Sequence, residues 1–533
     1  MSGVATPSQE RSKQRRIDAC INASPRARLW NILSYLSILL VGIPFWWHTT
    51  TIERRPLPTG QVEGMDFSHA DRQSIPVVFS ASPRFITDQQ ERREFASRTA
   101  GACERYCLAN QLDCERFAWK NQVDIEAENA LQLRFDSSTG RAPYISMAGQ
   151  HGGDLIIEVP YEHAPTDVLM DGLAAQIYTA LSDLVPARPS PRPARAIKYS
   201  RRVNLAFSLL NEDSTLGGGA FDWDVEAVIA RSLEPYLAPL RDLYDFAIES
   251  QIVYHAPLKS APIQTETDEW MVTKEHMKTF VNNEQWTLDS GSSNDPVLRF
   301  LLFIPSLKHS PLRLETSDES PAFLIPQIGG VVIHQDTAVE NADTTQGLPT
   351  ARRLELAELE LAFAYFASQL YALLGVPPLD PRYKTVDQKD GGGILPMTQW
   401  QKVNLMRSIT ESNLRDAKGT LISITRLVAR IKEMVINKEV RSDVEGAVNA
   451  LQKLAVGVPA SAAGLRDLFV TAREAAQLAN KAFFNPSMMG LLYFPDEHKY
   501  AVYTPLFAPV AVPVLVALLK EIKGWRGRRS RAT

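Results

Sequence analysis

The sequence predicts an α/β lumenal domain followed by a helical bundle, the pair flanked by two transmembrane helices. Three observations predict it. A charge-free apolar run lies near each end, strand-like and helix-like segments alternate through the first half of the intervening chain, and the pattern from about 350 to 480 is almost wholly helical.

The first run follows a basic tail (1–28) and spans 29–47, from Leu29 to Trp47, with no Asp, Glu, Lys or Arg. As a helix at ~1.5 Å per residue it is about 28 Å long, close to the hydrocarbon thickness of a bilayer. A buried core helix would carry a polar face, and this run offers only Asn31, Ser34 and Ser37. A cleaved signal peptide has an apolar stretch of about 7–15 residues before small residues. Here the run is longer, and Trp46, Trp47, His48 and three threonines stand at its end. The stretch "GIPFWWHTTTIERRPLP" (42–58) therefore reads as a retained anchor surfacing into water, its tryptophans suited to the headgroup layer.

The region 48–345 reads as α/β. "SIPVVFS", "ALQLRFD", "DLIIEVP", "VNLAFSLLN", "AIESQIVYHA", "VLRFLLFIP" and "GGVVIHQ" are short and rich in β-branched or aromatic residues, as strands are. Between them "APTDVLMDGLAAQIYTALSDLV" repeats apolar residues at helical spacing, and "FDWDVEAVIARSLEPYL" places acids in a first helical turn. Strands alternating with helices predict a layered α/β fold. "PARPSPRPARA" (186–196) reads as a loop. Cys103, Cys107 and Cys114 crowd into "CERYCLANQLDC"; three lumenal cysteines permit one bridge and leave one thiol. Helical spacing of Cys103 and Cys107 disfavours their joining, so the bridge is expected to reach Cys114 from one of them.

The region 346–499 reads as helices. "ARRLELAELELAFAYFASQLYALLG" stops on Gly375 with prolines behind it, and the next helix starts at a Thr398 cap. Two more follow near 440–457 and 461–483, and four helices with short joints predict an antiparallel bundle.

The second apolar run, 500–519, is also uncharged and contains Pro505, Pro509 and Pro513. Membrane helices tolerate such prolines better than soluble ones. Spaced by four, the prolines share one helix face, and Ala508, Ala511 and Ala517 add small residues that let a neighbouring helix approach. These six residues are the candidates for packing within the membrane.

Orientation follows from charge. The tail before the first run carries six basic and two acidic residues, and the tail after the second (520–533) six basic and one acidic, for nets of +4 and +5. The chain total of −4 then leaves −13 between them. Basic flanks stay cytosolic, so both termini are expected in the cytosol and the acidic middle in a secretory-pathway lumen. Such a charge repels phosphate and argues against nucleic acid. No N-x-S/T acceptor lies in the middle region except "NPS" at Asn485, which its proline disqualifies.

No catalytic, cofactor or metal motif emerges. G-x-S-x-G and H-E-x-x-H are absent, "TLGGGAFDW" lacks the Lys-Ser/Thr of a phosphate loop, "QHGGD" has no nucleophile elbow to serve, and the nine histidines show no ligand spacing. The chain reads as a binding or scaffolding protein. Two rival classes are a membrane-anchored hydrolase, which needs a nucleophile and base, and a lipid-binding module, which needs a large apolar cavity.

"GIPFWWHTTTIERRPLP", "FSLLNEDS…FDWDVEAVI" (207–229), "ESQIVYHAPL", "RFLLFIPSLKHSPL", "IPQIGGVVIH" and "AFFNPSMMGLLYFPDEHKYAVYTPLFAPVAVPVLVALLK" (482–520) occur in register. Together they resemble the phosphatidylinositol-glycan class S (PIG-S) family. One departure is "IPQIGG", where the family is expected to carry a tryptophan before the paired glycines. The resemblance implies a non-catalytic subunit of the GPI-anchor transamidase in the endoplasmic reticulum membrane. That complex replaces a hydrophobic C-terminal tail by a preformed GPI lipid. It also implies the partners PIG-K, a caspase-like catalytic subunit, PIG-T, PIG-U and a Gaa-type subunit, with contact to GPI or proprotein open, and no cofactor.

Overall fold

A computed structural model describes residues 25–50, 54–64, 75–112, 114, 117–121, 131–138, 144–148, 154–160, 167–185, 197–215, 219–266, 269–281, 288, 294–315, 320–326, 328–334, 352–378, 397–431, 434–455, 462–488 and 496–529. The loop read at 186–196, most of "QHGGD", Gly217 and Gly218, and the outer parts of both basic tails lie outside these residues. Contacts divide the chain into two compact units, one of residues 1–63, 418–448 and 477–533, the other of 64–417 and 449–476.

The first unit begins with α1 (Pro25–Thr50) and a single turn, α2 (Thr59–Glu63). Between them Arg54 donates to the carbonyls of Val428 (2.8 Å) and Ile431 (3.3 Å), and Arg55 N–H donates to Ile436 O. A guanidinium is suited to this: its fork meets carbonyls that a helix end leaves without internal partners.

The second unit holds two five-stranded sheets. The first takes β1 (Ile75–Ala81), β2 (Phe117–Asn121), β3 (Leu131–Ser138), β4 (Tyr144–Ala148) and β5 (Asp154–Pro160) in the order β2-β1-β3-β5-β4. Helices α3 (Gln89–Ala109) and α4 (Asp167–Leu184) pack together beside it. Asp88 starts α3 by accepting from the N–H groups of Gln90 (2.8 Å) and Glu91 (3.0 Å), an N-cap that satisfies two orphan donors. Phe79, Phe95 and Phe135 form the aromatic centre, with Phe95 edge-on to Phe135 at 5.0 Å.

The second sheet is built from β6 (Arg202–Asn211), β8 (Asp245–Val253), β11 (Val297–Ile304), β13 (Ala322–Ile325) and β14 (Gly329–Ile333), in the order β13-β14-β11-β6-β8. Between β6 and β8 come β7 (Ala220–Trp223) and a helical run in which a π turn, Ile229–Leu233, separates α5 (Val225–Val228) from α6 (Glu234–Leu237). A small sheet of β9 (Ile263–Gln264), β10 (Trp270–Val272) and β12 (Leu312–Leu314) flanks α7 (Lys274–Lys278), and β15 (Arg352–Leu354) pairs with β7.

Numbered within itself, each five-stranded sheet has the same order: second, first, third, fifth, fourth strand. In each, the fourth strand alone is antiparallel. One α/β plan is thus used twice in succession. The central strands β6 and β11 are buried on both faces, which explains their unbroken apolar runs. One face meets α8 (Leu356–Leu374) through Phe207, Phe300, Phe363 and Phe366. The other packs Leu301 and Phe303 against Phe280, Val272 and Leu312.

All seven strands read from the sequence are present. β2, β4, β13 and the short strands escaped because they are brief and lack a clear period. The four later helices lie where helical spacing put them: α8, α9 (Gln399–Arg430), α10 (Lys438–Ala455) and α11 (Ala462–Phe483). α8 opens on a capping box of Glu355 and Glu358 and closes on Gly375 in the left-handed region (φ 77°). Thr398 caps α9 as expected, its hydroxyl accepting from Gln401 N–H while Gln401 Oε1 accepts from Thr398 N–H.

The first unit ends with α12 (Asp496–Arg529), which packs against α1; Trp46 stands edge-on to Tyr503 (5.1 Å) and Phe507 (5.8 Å). Among the described residues no helix is long and apolar enough to cross a membrane. In α1 the Ser34 and Ser37 hydroxyls are turned onto the carbonyls of Asn31 and Ser34.

Candidate functional site

In an open α/β sheet the chain leaves its first strand to one side and returns on the other, and a crevice opens at the carboxyl ends of the two strands where it divides. In the second sheet those strands are β6 and β11. The residues that follow them are Glu212-Asp213-Ser214-Thr215 and Pro305-Ser306-Leu307-Lys308-His309. Glu212 N–H donates to Ile304 O (3.0 Å), so the pairing persists one residue past β6 and carries the Glu212 side chain into the crevice.

Glu212 is 5% exposed, and both its oxygens are engaged. Ser306 N–H donates to Oε2 at 2.8 Å, and His309 Nδ1 lies 2.5 Å from Oε1. A carboxylate ion only accepts, so in this contact Nδ1 is the donor. The single turn Leu307–His309 brings the imidazole back, with His309 N–H donating to Ser306 O (2.9 Å), and Trp270 meets the ring edge-on at 4.9 Å. The pair thus pins the loop after β11 to the end of β6 and to β10.

The neighbouring residues tie in the other side. Buried Asn211 behaves as a piece of strand: Nδ2 donates to Ala220 O (2.9 Å) and Oδ1 accepts from Ala220 N–H (2.8 Å). Asp213 accepts from the hydroxyl and N–H of Thr215, which hold its carboxyl below the usual range. Ser214 donates to Tyr254 O (2.8 Å) at the end of β8. The first sheet closes its equivalent point in the same manner. Ser82 N–H donates to Phe135 O (2.8 Å), and the Ser82 hydroxyl donates to Asp136 (2.7 Å).

The expected cysteine bridge joins Cys107 to Cys114, with Cα atoms 5.6 Å apart. Cys103 is the thiol left over, and burial pushes it up to about 12. A protonated, enclosed thiol is a poor nucleophile and packs as a small apolar group. Among the described residues no group of three or more His, Cys, Asp or Glu is placed to hold a metal.

The membrane-packing candidates on α12 differ in exposure. Ala508, Ala511 and Ala517 are partly covered, whereas Pro505, Pro509 and Pro513 are exposed. Pro509 follows Phe507 by two residues, about 200° around the helix, so the prolines stand away from the ring that meets α1.

Sequence reading passed over Glu212 and His309. They are 97 residues apart and each sits one loop beyond a strand, so no local spacing links them. The signal was the polar cluster that ends each apolar strand, "LLNEDS" and "FIPSLKH".

The sequence model of the phosphatidylinositol-glycan biosynthesis class S proteins matches residues 33–528. The GPI-anchor transamidase component PIGS of Bos taurus is 30% identical over 92% of this chain and 94% of its own length, and that of Homo sapiens 29% identical with the same coverage. The GPI transamidase component PIG-S homolog of Schizosaccharomyces pombe is 25% identical over 92% of this chain and 83% of its own length. On a match that runs through both sheets and both terminal helices, the chain belongs to the PIG-S family.

Proposed function

We propose that this chain is a non-catalytic, two-span membrane subunit of the GPI-anchor transamidase, resident in the endoplasmic reticulum with both termini cytosolic. The names of its relatives place them in that complex. The observation that carries the membrane reading is the α1–α12 pair. Leu33, Ile38, Leu40, Val41, Ile43 and Phe45 on one helix, and Val502, Val512, Leu515, Val516 and Leu519 on the other, are exposed around the pair. So much apolar surface costs free energy in water and none in lipid. Basic tails at both ends suit a cytosolic location for each.

The switch-point crevice supports a scaffolding role. Glu212 is consumed by holding Ser306 and His309, and Cys103 is enclosed and protonated, so neither is poised for acyl transfer. The transamidation chemistry then belongs to a caspase-like partner of the PIG-K kind, and this chain supplies lumenal surface to it and to PIG-T, PIG-U and Gaa-type subunits. Depletion of the chain is expected to leave GPI-destined precursors with their hydrophobic tails uncleaved, and full-length chain should restore processing. Normal processing after complete depletion would overturn the reading. In sealed microsomes, digestion of the middle region without detergent would overturn the topology.

A further inference from the structure

α12 continues as helix past its charge-free run, which ends at Leu519, to Arg529. Lys520, Lys523 and Arg526 follow that run at intervals of three. At about 100° per residue they fall within an arc of about 120°, each step rising ~4.5 Å. Tyr503 and Phe507 meet Trp46, so they mark the side of α12 that faces α1. Counted round the helix from those two rings, the three cations are centred about 180° away. Glu521 lies about five full turns after Tyr503 and so returns to the side of α1. Exposure agrees with this phase: Lys520, Lys523 and Arg526 are exposed, whereas Leu518 and Glu521 are partly covered. Glu521 is the one acid in 520–533, and it stands across the helix from the cations. The outer side of α12 therefore carries a ridge of positive charge with no acid in it.

The positive-inside rule counts basic residues in a flank and is indifferent to which side of the helix they take. Phase matters for binding an anion that approaches from one side. On the two-span reading the run 500–519 fills the hydrocarbon core, which puts Lys520 at its boundary, Lys523 ~4.5 Å and Arg526 ~9 Å beyond it. The headgroup layer is about 5–8 Å thick on each side of the core, and the long stems of lysine and arginine let their charges shift to meet it. The ridge is thus level with the lipid phosphates. A zwitterionic headgroup brings its own cation to its phosphate, whereas an anionic one lacks that internal partner and is attracted by juxtamembrane Lys and Arg. An acidic protein segment would have to displace lipid from this layer before it reached the ridge.

We propose that Lys520, Lys523 and Arg526 bind the headgroup of an anionic phospholipid in the cytosolic leaflet. The proposal rests on the two-span reading. The test uses the full chain reconstituted in phosphatidylcholine vesicles that contain a minority of phosphatidylserine. Native mass spectrometry of the released chain reads the lipid that stays bound. The ratio of phosphatidylserine to phosphatidylcholine on the wild-type chain should exceed that of the vesicles at least about fivefold, and it should fall as salt rises. Lys520→Gln, Lys523→Gln and Arg526→Gln together should return the ratio to that of the vesicles. The same loss of charge in the other tail, by Arg11→Gln, Lys13→Gln and Arg15→Gln together, should leave the preference in place.

A wild-type chain that enters the vesicles and shows no preference for phosphatidylserine would overturn the proposal. So would an equal loss of preference in the two triple variants, since the charge would then act diffusely. In the complex recovered from cells, a photoreactive group at position 523 should label lipid, and capture of a protein segment in its place would also overturn it. Failure of the wild-type chain to float with the vesicles would instead defeat the two-span reading, and the proposal with it.

Discussion

Replacing Glu212 by alanine tests whether the crevice is a structural clasp. The substitution removes the acceptor of two buried hydrogen bonds, from Ser306 N–H at 2.8 Å and from His309 Nδ1 at 2.5 Å. Hydrogen bonds to a charged group contribute about 1.5–3 kcal/mol each, and the donors left behind are partly enclosed, so the expected loss is about 3–5 kcal/mol. Glu212→Gln keeps one acceptor. Gln Oε can serve Ser306, and the imidazole can turn its other tautomer toward the amide, so about 1–2 kcal/mol is expected. Denaturant unfolding of the full chain, with Trp270 as the local reporter, measures both, since that ring meets His309 at 4.9 Å. Subtracting the signal of a Trp270→Phe chain isolates it from the other tryptophans. In the double-mutant cycle, Glu212→Ala and His309→Ala should couple by about 1–3 kcal/mol. A loss under about 1 kcal/mol for Glu212→Ala, or no coupling, would refute the clasp.

Gly330→Ala should destabilise the second sheet by about 2–3 kcal/mol, because a Cβ there would come 2.0 Å from Gln369 Oε1; pairing it with Gln369→Ala should recover part of the loss in the same unfolding assay. The recovery is partial because Gln369 Nε2 donates to Phe323 O and Val331 O and so fastens β13 and β14 to α8. Cys107→Ser should cost about 2–3 kcal/mol by the loop-entropy estimate for so short a loop, while Cys103 should resist alkylation until the chain unfolds, as followed by mass shift. Asp242 is held below its usual range chiefly by its hydrogen bond from Lys402 Nζ, at 2.6 Å. A depressed carboxyl stabilises the fold above its unfolded value, near pH 4, and loses that contribution as pH falls through the folded value. Lys402→Met should therefore reduce stability at pH 7 slightly and flatten the acid limb of a pH titration of unfolding.

Much of the architecture was legible in local pattern. The seven longest or most apolar strands, the caps at Thr398 and Gly375, and the alternation that demands an α/β fold all follow from windows of a few residues. Side-chain direction has a period of two in a strand and 3.6 in a helix, so burial writes itself into short stretches. Family membership was legible too, because motifs along the chain keep their order. The cysteine cluster narrowed the bridge to Cys114, and the fold places Cys107, not Cys103, against it.

What only the tertiary structure decided is which distant elements meet. Each five-stranded sheet takes the same order because each chain segment pairs its third strand beside its first, and no window contains both strands. Glu212 finds His309 because β6 and β11 are neighbours at a dividing point, although "NEDS" and "SLKH" are unremarkable as text. In sequence the prolines of α12 share one face and the alanines are small residues that let a neighbour approach. In the folded chain they differ in exposure, the alanines partly covered and the prolines exposed. β8 reads like any other strand, and its unpaired edge exists only because nothing in the described chain is placed beside it. Local periodicity follows from backbone geometry within one element, whereas edges, crevices and helix faces are relations between elements that exist only after the chain has closed on itself.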